Sequence, residues 1–429
     1  MKLNLWTLAL AAAGVVSFGT VAQADEQDMA NRIQQLEKRI AELEGKKSEG
    51  GEKKESAVEA WIGASKFSGF ASASYLYNFN RPSGLTPSIG GAGGGRAGDT
   101  DYTRGRSFDG AHNEFSLNKL KLTLEKPVDF SAEKWDVGYR ADLIFGQDAP
   151  LIQSSGLTLG SYGDLEQLYA TVNVPVGRGL QVSAGKWVTL MGVEVIEETA
   201  NPNWSEGNQF LFVENFTGTG VQLSYKWTDK IDSQFRVYNG WDVVKDNNDG
   251  LSYMGRIGYA PDDKTSIGLV GYGGPEQANN TRDWRYGVNL VASRKLTDKL
   301  TAWVQGDYGR EDANAALPIP TKDAEWYAGG LWLTYDCCDL LTVAARADYL
   351  KDKDGARTSG SPFTAPFPAN TGQDLASFTL TLNIKPVKNL QVRPEVRWDH
   401  SSGDLFGSRG SDTGRANQVT AGMGVAYLF

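Results

Sequence analysis

Hydrolytic chemistry needs a base within hydrogen-bond reach of a nucleophile, and only two histidines in this 429-residue chain could supply one. His400 is followed by Ser401 and Ser402, while His112 has no Ser or Cys beside it. Neighbouring residues on an extended strand point to opposite sides, so His400 cannot serve Ser401 there. No oxyanion-hole signature follows. We therefore assign no catalytic residue and read the chain as not an enzyme. Cys337 and Cys338 are adjacent and are the only cysteines, which supports neither a zinc site nor a disulfide framework. Asp352-x-Asp354-Gly355 and Asp246-x-Asn248-Asp249-Gly250 look like pieces of a calcium loop. Both lack the downstream Glu, and Asp/Asn-Gly clusters are ordinary turn chemistry. No metal or cofactor is expected.

What remains is charge. Met191 to Phe216 holds Glu194, Glu197, Glu198, Glu206 and Glu214 with no basic residue. Arg140, Arg236, Arg256, Arg285, Arg346, Arg393 and Arg397 each sit in a segment where apolar and polar residues alternate. Carboxylates facing guanidinium groups across a narrow, low-dielectric passage set up a transverse field that sorts solutes by charge. Which carboxylates do so depends on the elements that place them.

Those elements are strands. From Gln418 to Phe429, Val419, Ala421, Met423, Val425, Tyr427 and Phe429 share one face, and the other face is small or polar. Side chains alternate with period two, and about ten such residues span a bilayer when tilted. Sixteen alternating segments run from Lys66 to the C-terminus, near 66–79, 113–125, 134–146, 164–174, 179–190, 217–227, 231–241 and 250–260, then 264–273, 282–294, 299–310, 324–336, 340–350, 375–385, 389–399 and 418–429. Of these, the fourth and ninth have the least contrasted faces. An Arg on a lipid-facing surface costs roughly 2–4 kcal/mol at midplane, so the seven arginines must face inward. The connections alternate long and short along the whole chain, which a two-sheet sandwich has no reason to do. The expected fold is all-β: a 16-stranded antiparallel transmembrane barrel over 66–429, with loops on one rim and turns on the other.

The N-terminal part reads differently. Met1-Lys2, an apolar run from Leu3 to Val21 and the small-x-small triplet Ala22-Gln23-Ala24 form a signal peptide (1–24). Cleavage is expected between Ala24 and Asp25. Met29, Ile33, Leu36, Ile40 and Leu43 are spaced as a heptad seam, giving a short coiled-coil helix over 25–44. Residues 45–65 are rich in Lys, Glu, Gly and Ser and form a flexible linker. Two heptads need partner copies to be stable. The net charge of −9 argues against a nucleic-acid partner.

Several segments, taken in order, resemble the OmpL-like β-barrel porin family. They include Gly69-Phe70, Tyr77-Asn78-Phe79-Asn80-Arg81-Pro82, Gly185-Lys186, Gly192-Val-Glu194, Asn201-Pro-Asn203-Trp-Ser205, Asn239-Gly240-Trp241-Asp242, Arg346-Ala-Asp348-Tyr349 and Glu395-Val-Arg397-Trp-Asp399. The repeated pattern Arg32-Ile33-Gln-Gln-Leu36-Glu37 and Arg39-Ile40-Ala-Glu-Leu43-Glu44 resembles short trimeric coiled coils. The resemblances imply a homotrimeric porin in the bacterial outer membrane, seated among lipid and lipopolysaccharide, with the coil in the periplasm. They imply passive diffusion of small hydrophilic solutes, with the third long loop narrowing the lumen. Glu194 and Glu197 would be its acidic residues, with the seven arginines as counter-face. The terminal Phe429 resembles the signal read by the barrel-assembly machinery. Two alternatives stand beside this reading: a phosphate-type anion-selective porin, and a structural tether or adhesin barrel.

Overall fold

The computed structural model describes residues 65–82, 103–313, 322–358, 372–408 and 411–429. The expected signal peptide (1–24), coil (25–44) and all but the last residue of the linker (45–65) lie outside these. Sixteen strands close one antiparallel barrel. In chain order they are β1 (Lys66–Asn78), β2 (Glu114–Lys126), β3 (Asp136–Phe145), β4 (Gly163–Val174), β5 (Leu180–Val188) and β6 (Thr217–Lys226). Then come β7 (Ile231–Tyr238), β8 (Ser252–Asp262), β9 (Thr265–Pro275), β10 (Trp284–Lys295), β11 (Leu300–Glu311) and β12 (Ala324–Cys338). The last are β13 (Leu341–Asp352), β14 (Gln373–Val387), β15 (Leu390–Ser401) and β18 (Asn417–Leu428). A small hairpin, β16 (Phe406–Ser408) with β17 (Ser411–Arg415), sits in the last long connection. Every barrel strand pairs with its sequence neighbour, and β1 pairs with β18 to shut the ring.

Closure is what makes the sheet stable in lipid, because no edge is left with unpaired backbone groups. Its last stitch uses the terminal residue: Gly69 and Phe429 exchange both backbone hydrogen bonds, at 3.0 and 2.9 Å. The Phe67 and Phe429 rings lie 6.1 Å apart on the outer surface. Outward positions are apolar around the circumference, including Leu223, Phe235, Ile257, Leu269, Leu290, Val304, Leu331, Leu380, Val396 and Met423, all exposed. Aromatics crowd both ends of this band: Tyr75, Phe115, Tyr253, Trp284 and Tyr327 towards the loops, Phe67, Trp135, Trp227, Tyr335 and Phe429 towards the turns. Such girdles mark the two membrane interfaces.

All sixteen expected strands are present, the fourth and ninth included. Two of the register shifts turn consecutive side chains inward. On β2, Asn118 and Lys119 are both buried, at a register shift against β1. On β4, Glu166 and Gln167 are both buried, at a shift against β3. A bulge of this kind turns two successive side chains to the same side. The hairpin and two short helices, α1 (Ala149–Ile152) and α2 (Asn208–Phe212), were not anticipated.

Candidate functional site

The third long connection, here L3, leaves β5 after Val188 and returns at β6. In the ring order, β13 is eight strands from β5 in either direction, so it stands diametrically across the lumen. L3 is bonded there. Glu194 receives the Arg346 Nη1 of β13 at 2.6 Å and the Trp332 indole of β12 at 3.1 Å. Asn208 donates to Asp348 at 2.6 Å, and Arg346 lies 3.2 Å from the same Asp348. A loop rooted on β5 and pinned to β13 has to cross the barrel interior.

Other contacts fix its path. Val193 N–H donates to Gln305 of β11 at 2.8 Å, and Gln209 donates to Asp307 at 2.6 Å. Asn203 donates to Thr381 of β14, and Ser205 with the Trp204 amide binds Glu395 of β15. Arg393 donates to the carbonyls of Glu198, Asn201 and Pro202, and Arg397 to that of Glu206. On β2, Lys119 meets Glu198 at 2.7 Å and Lys121 pairs with Glu197. Trp204 also explains the small inward face of β18, since a Cβ at Gly424 would overlap its ring. Glu194, Glu197, Glu198 and Glu214 thus each meet a polar partner on the wall, Glu214 accepting from the Gln305 side-chain amide at 2.8 Å, as a loop inside a barrel requires.

L3 also has an apolar side. Leu211, Phe212 and Val213 pack with Trp326, Leu350 and Leu375 from the loop-side halves of β12, β13 and β14. Phe210 and Phe216 pack with Phe108, Ile144 and Ile152. Arg357, from the loop after β13, lies over the Trp241 and Trp326 rings and donates to the Phe212 carbonyl at 2.6 Å. That places a cation at the C-terminal end of α2, where helix carbonyls are unsatisfied. Burial, with Arg285 nearby, holds this guanidinium down to about 10. Within L3, burial pushes the Glu206 and Glu214 carboxyls well above the usual carboxylate range. Lys119 opposes the rise at Glu206, while Asp307 and Glu194 add to it at Glu214.

Two cavities lie beside L3. A cavity of about 470 Å³ is bounded by L3 residues Thr189, Leu190 and Glu197 and by the inward side chains of β3 to β7, chiefly Gln, Ser, Thr, Tyr169, Trp187, Arg140 and Arg236. A second, of about 120 Å³, lies between Leu190, Gly192 and β8 to β10, with Arg256 on its wall.

Residues 65–429 match the family model described as "Putative beta-barrel porin-2, OmpL-like". The chain belongs to this porin family. No curated protein matches the sequence. Among solved structures, an anion-selective porin from Comamonas acidovorans shares 10% identity at a TM-score of 0.56, covering 85% of this chain and 99% of that one. OprB of Pseudomonas putida shares 10% at 0.53, covering 87% and 96%. DcaP, an outer-membrane channel of Acinetobacter baumannii, shares 14% at 0.52, covering 85% and 97%. At such identities the likeness is one of fold. It agrees with the closed antiparallel barrel.

All seven arginines read from the sequence lie on the porin's inner wall, but they do not form one counter-face. Arg346, Arg393 and Arg397 are sealed beneath L3. Arg285 pairs with Glu311 at 2.9 Å, and Arg256 with Asp232 at 2.5 Å. Arg140 reaches Asp142 at 2.9 Å and Glu125 at 3.3 Å. Glu194, 1% exposed, lines neither of these two cavities, whereas Glu197 is on the wall of the larger. Sequence reasoning passed over Lys119, Lys121 and Lys186 as inward cations. The run Leu117-Asn118-Lys119-Leu120-Lys121-Leu122 carried the signal for the first two. The histidine and serine indeed diverge: Ser401 is fully buried and donates to Gln373, while His400 stacks on Trp398 and meets Asn417. The two Asp-rich segments are turns. Asp352 accepts from the amides of Ala356, Arg357 and Thr358, and Asp246 from those of Asn248 and Asp249. Cys337 and Cys338 are exposed free thiols at the end of β12, and nothing in the structure explains their pairing in sequence.

Proposed function

We propose that the porin passes small hydrophilic solutes by passive diffusion, and that L3 narrows its lumen to the polar passage beside β3–β10. The observation that carries this reading is the attachment of L3 to β13, the strand opposite its own root. A sixteen-stranded barrel is wide enough for an aqueous channel, and a loop pinned across it divides that width. On this reading Glu197 is the acidic residue that solutes meet, with Arg140, Arg236 and Arg256 on the facing wall. Glu194, Arg346, Arg393 and Arg397 anchor the loop. The porin works as a trimer in the outer membrane, held from the periplasm by the coil at Met29–Leu43. The heptad spacing supports that assembly.

Reversal potential under a salt gradient tests the passage. Glu197→Gln removes one negative charge from its wall, so permeability should shift towards anions. The shift should shrink between 0.1 and 1 M salt, as the Debye length falls from about 10 to about 3 Å. An unchanged reversal potential would remove Glu197 from the conducting path.

A further inference from the structure

Of the seven inward arginines, five carry a carboxylate: Arg140, Arg256, Arg285, Arg346 and Arg397. Arg393 has none, but its three nitrogens are consumed by Asn383 Oδ1 and three L3 carbonyls. Arg236 differs from all of them. It is 5% exposed, yet no carboxylate lies within ion-pair distance among the described residues. Its Nε donates to Gln222 Oε1 at 2.6 Å and its Nη1 to the Val188 carbonyl at 2.7 Å. The guanidinium lies 5.1 Å from the Trp187 ring centre, and Trp187 is itself held by the same Gln222 oxygen at 2.9 Å. Nη2 makes no hydrogen bond among the described residues, and Arg236 lines the cavity of about 470 Å³.

A buried charge without an ion-pair partner is costly in a low-dielectric wall. Two bonds and a stacked ring fix this one in place, and they leave one edge of it for an acceptor. We infer that Arg236 is the anchor of a solute-binding site inside the passage, for small molecules that carry an oxyanion, carboxylate or phosphate. A guanidinium edge matches the geometry of such groups. Around it the cavity offers uncharged hydrogen-bonding groups (Ser224, Gln234 and Tyr169) and Trp187, which suit a small polar or planar body. The other charges on the cavity wall are already paired: Glu197 with Lys121, which also holds the buried Asp142 and Glu166, and Arg140 with Asp142. Arg236 is the charge on that wall with no ion pair among the described residues.

This inference rests on the diffusion reading for its role in transport, but binding can be measured apart from conduction. Isothermal titration of the purified full-length porin in detergent would use benzoate, acetate and inorganic phosphate, with glucose as an uncharged control. The same solutes would be added to single channels in planar bilayers. The site predicts saturable binding of at least one anion, none of glucose, and a chloride current that falls along the same saturation curve. Benzoate above acetate would assign the planar body to Trp187, and phosphate above both would assign the site to a phosphate group. Arg236→Gln should weaken binding about tenfold or more, since a hydrogen bond to a charged group is lost with the charge. Arg236→Lys, which keeps the charge, should retain part of it. If the Gln variant loses its heat-modifiable fold, the Lys variant and the wild type decide. Conducting channels with no saturable anion binding would overturn the site and leave diffusion standing. Anion binding unchanged in Arg236→Gln would place it elsewhere. Saturable binding in a protein that never conducts would uphold the site and overturn the diffusion reading.

Discussion

Removing the Glu194 carboxylate should release L3 from the far wall. Glu194 ties three things together: Arg346 at 2.6 Å, the Trp332 indole at 3.1 Å and, at 2.7 Å, the amide of Gly207 further along L3. Arg346 and Glu194 are 0% and 1% exposed, so neither has water to fall back on. Breaking a buried pair by deleting one partner typically costs about 3–5 kcal/mol. Asp348, 3.2 Å from Arg346, still shares part of that charge, so the lower end of the range applies. About 3 kcal/mol moves the docked-to-free ratio of the loop by roughly 10²-fold, at 1.4 kcal/mol per decade. The assay is amide hydrogen exchange of peptides from 191–216 in the folded porin, comparing wild type, Glu194→Ala, Arg346→Met and the double variant Glu194→Met/Arg346→Met. Both single variants should lose protection in L3 while the strands keep theirs. The double variant should recover part of it, because an apolar pair leaves no stranded charge. Wild-type protection in Glu194→Ala, or a double variant no better protected than Arg346→Met alone, would refute the anchoring role.

Two further expectations follow from L3 and from the N-terminal coil. Glu214 has a raised folded-state value, so its contribution to loop docking is full below the ordinary glutamate range, about 4.3, and is lost as pH climbs through the raised value. L3 protection should therefore fall with rising pH, and Glu214→Gln should flatten the dependence; a wild-type profile in the variant would show that another group titrates. Replacing Ile33 and Ile40 with Asp should abolish the coil and leave the barrel folded, read by cross-linking and heat-modifiable migration. An unchanged trimer would assign assembly to the barrel walls.

The barrel was legible in the sequence because lipid imposes a strict rule on every outward position. Leu269 or Val304 cannot be charged without cost, so parity can be read even where each strand is weak alone. The slips at Asn118–Lys119 and Glu166–Gln167 were hidden, since a bulge leaves composition unchanged while reversing the faces. L3 was readable only as acidic. It has no period, and its five glutamates look alike until the fold gives each a neighbour. Glu194 found Arg346, Glu197 found Lys121, and Glu214 found an amide. The short α2 and the β16–β17 hairpin left no periodic trace, being only a few residues long.

The most direct test of the account is single-channel conductance in planar bilayers, for the wild type and a porin whose residues 194–213 are replaced by a short Gly-Ser linker. With L3 across the lumen, the wild type should form ohmic channels, and the replaced loop should conduct several-fold more with weaker charge selectivity. Equal conductance in the two, with both proteins folded, would mean that L3 does not set the width of the passage.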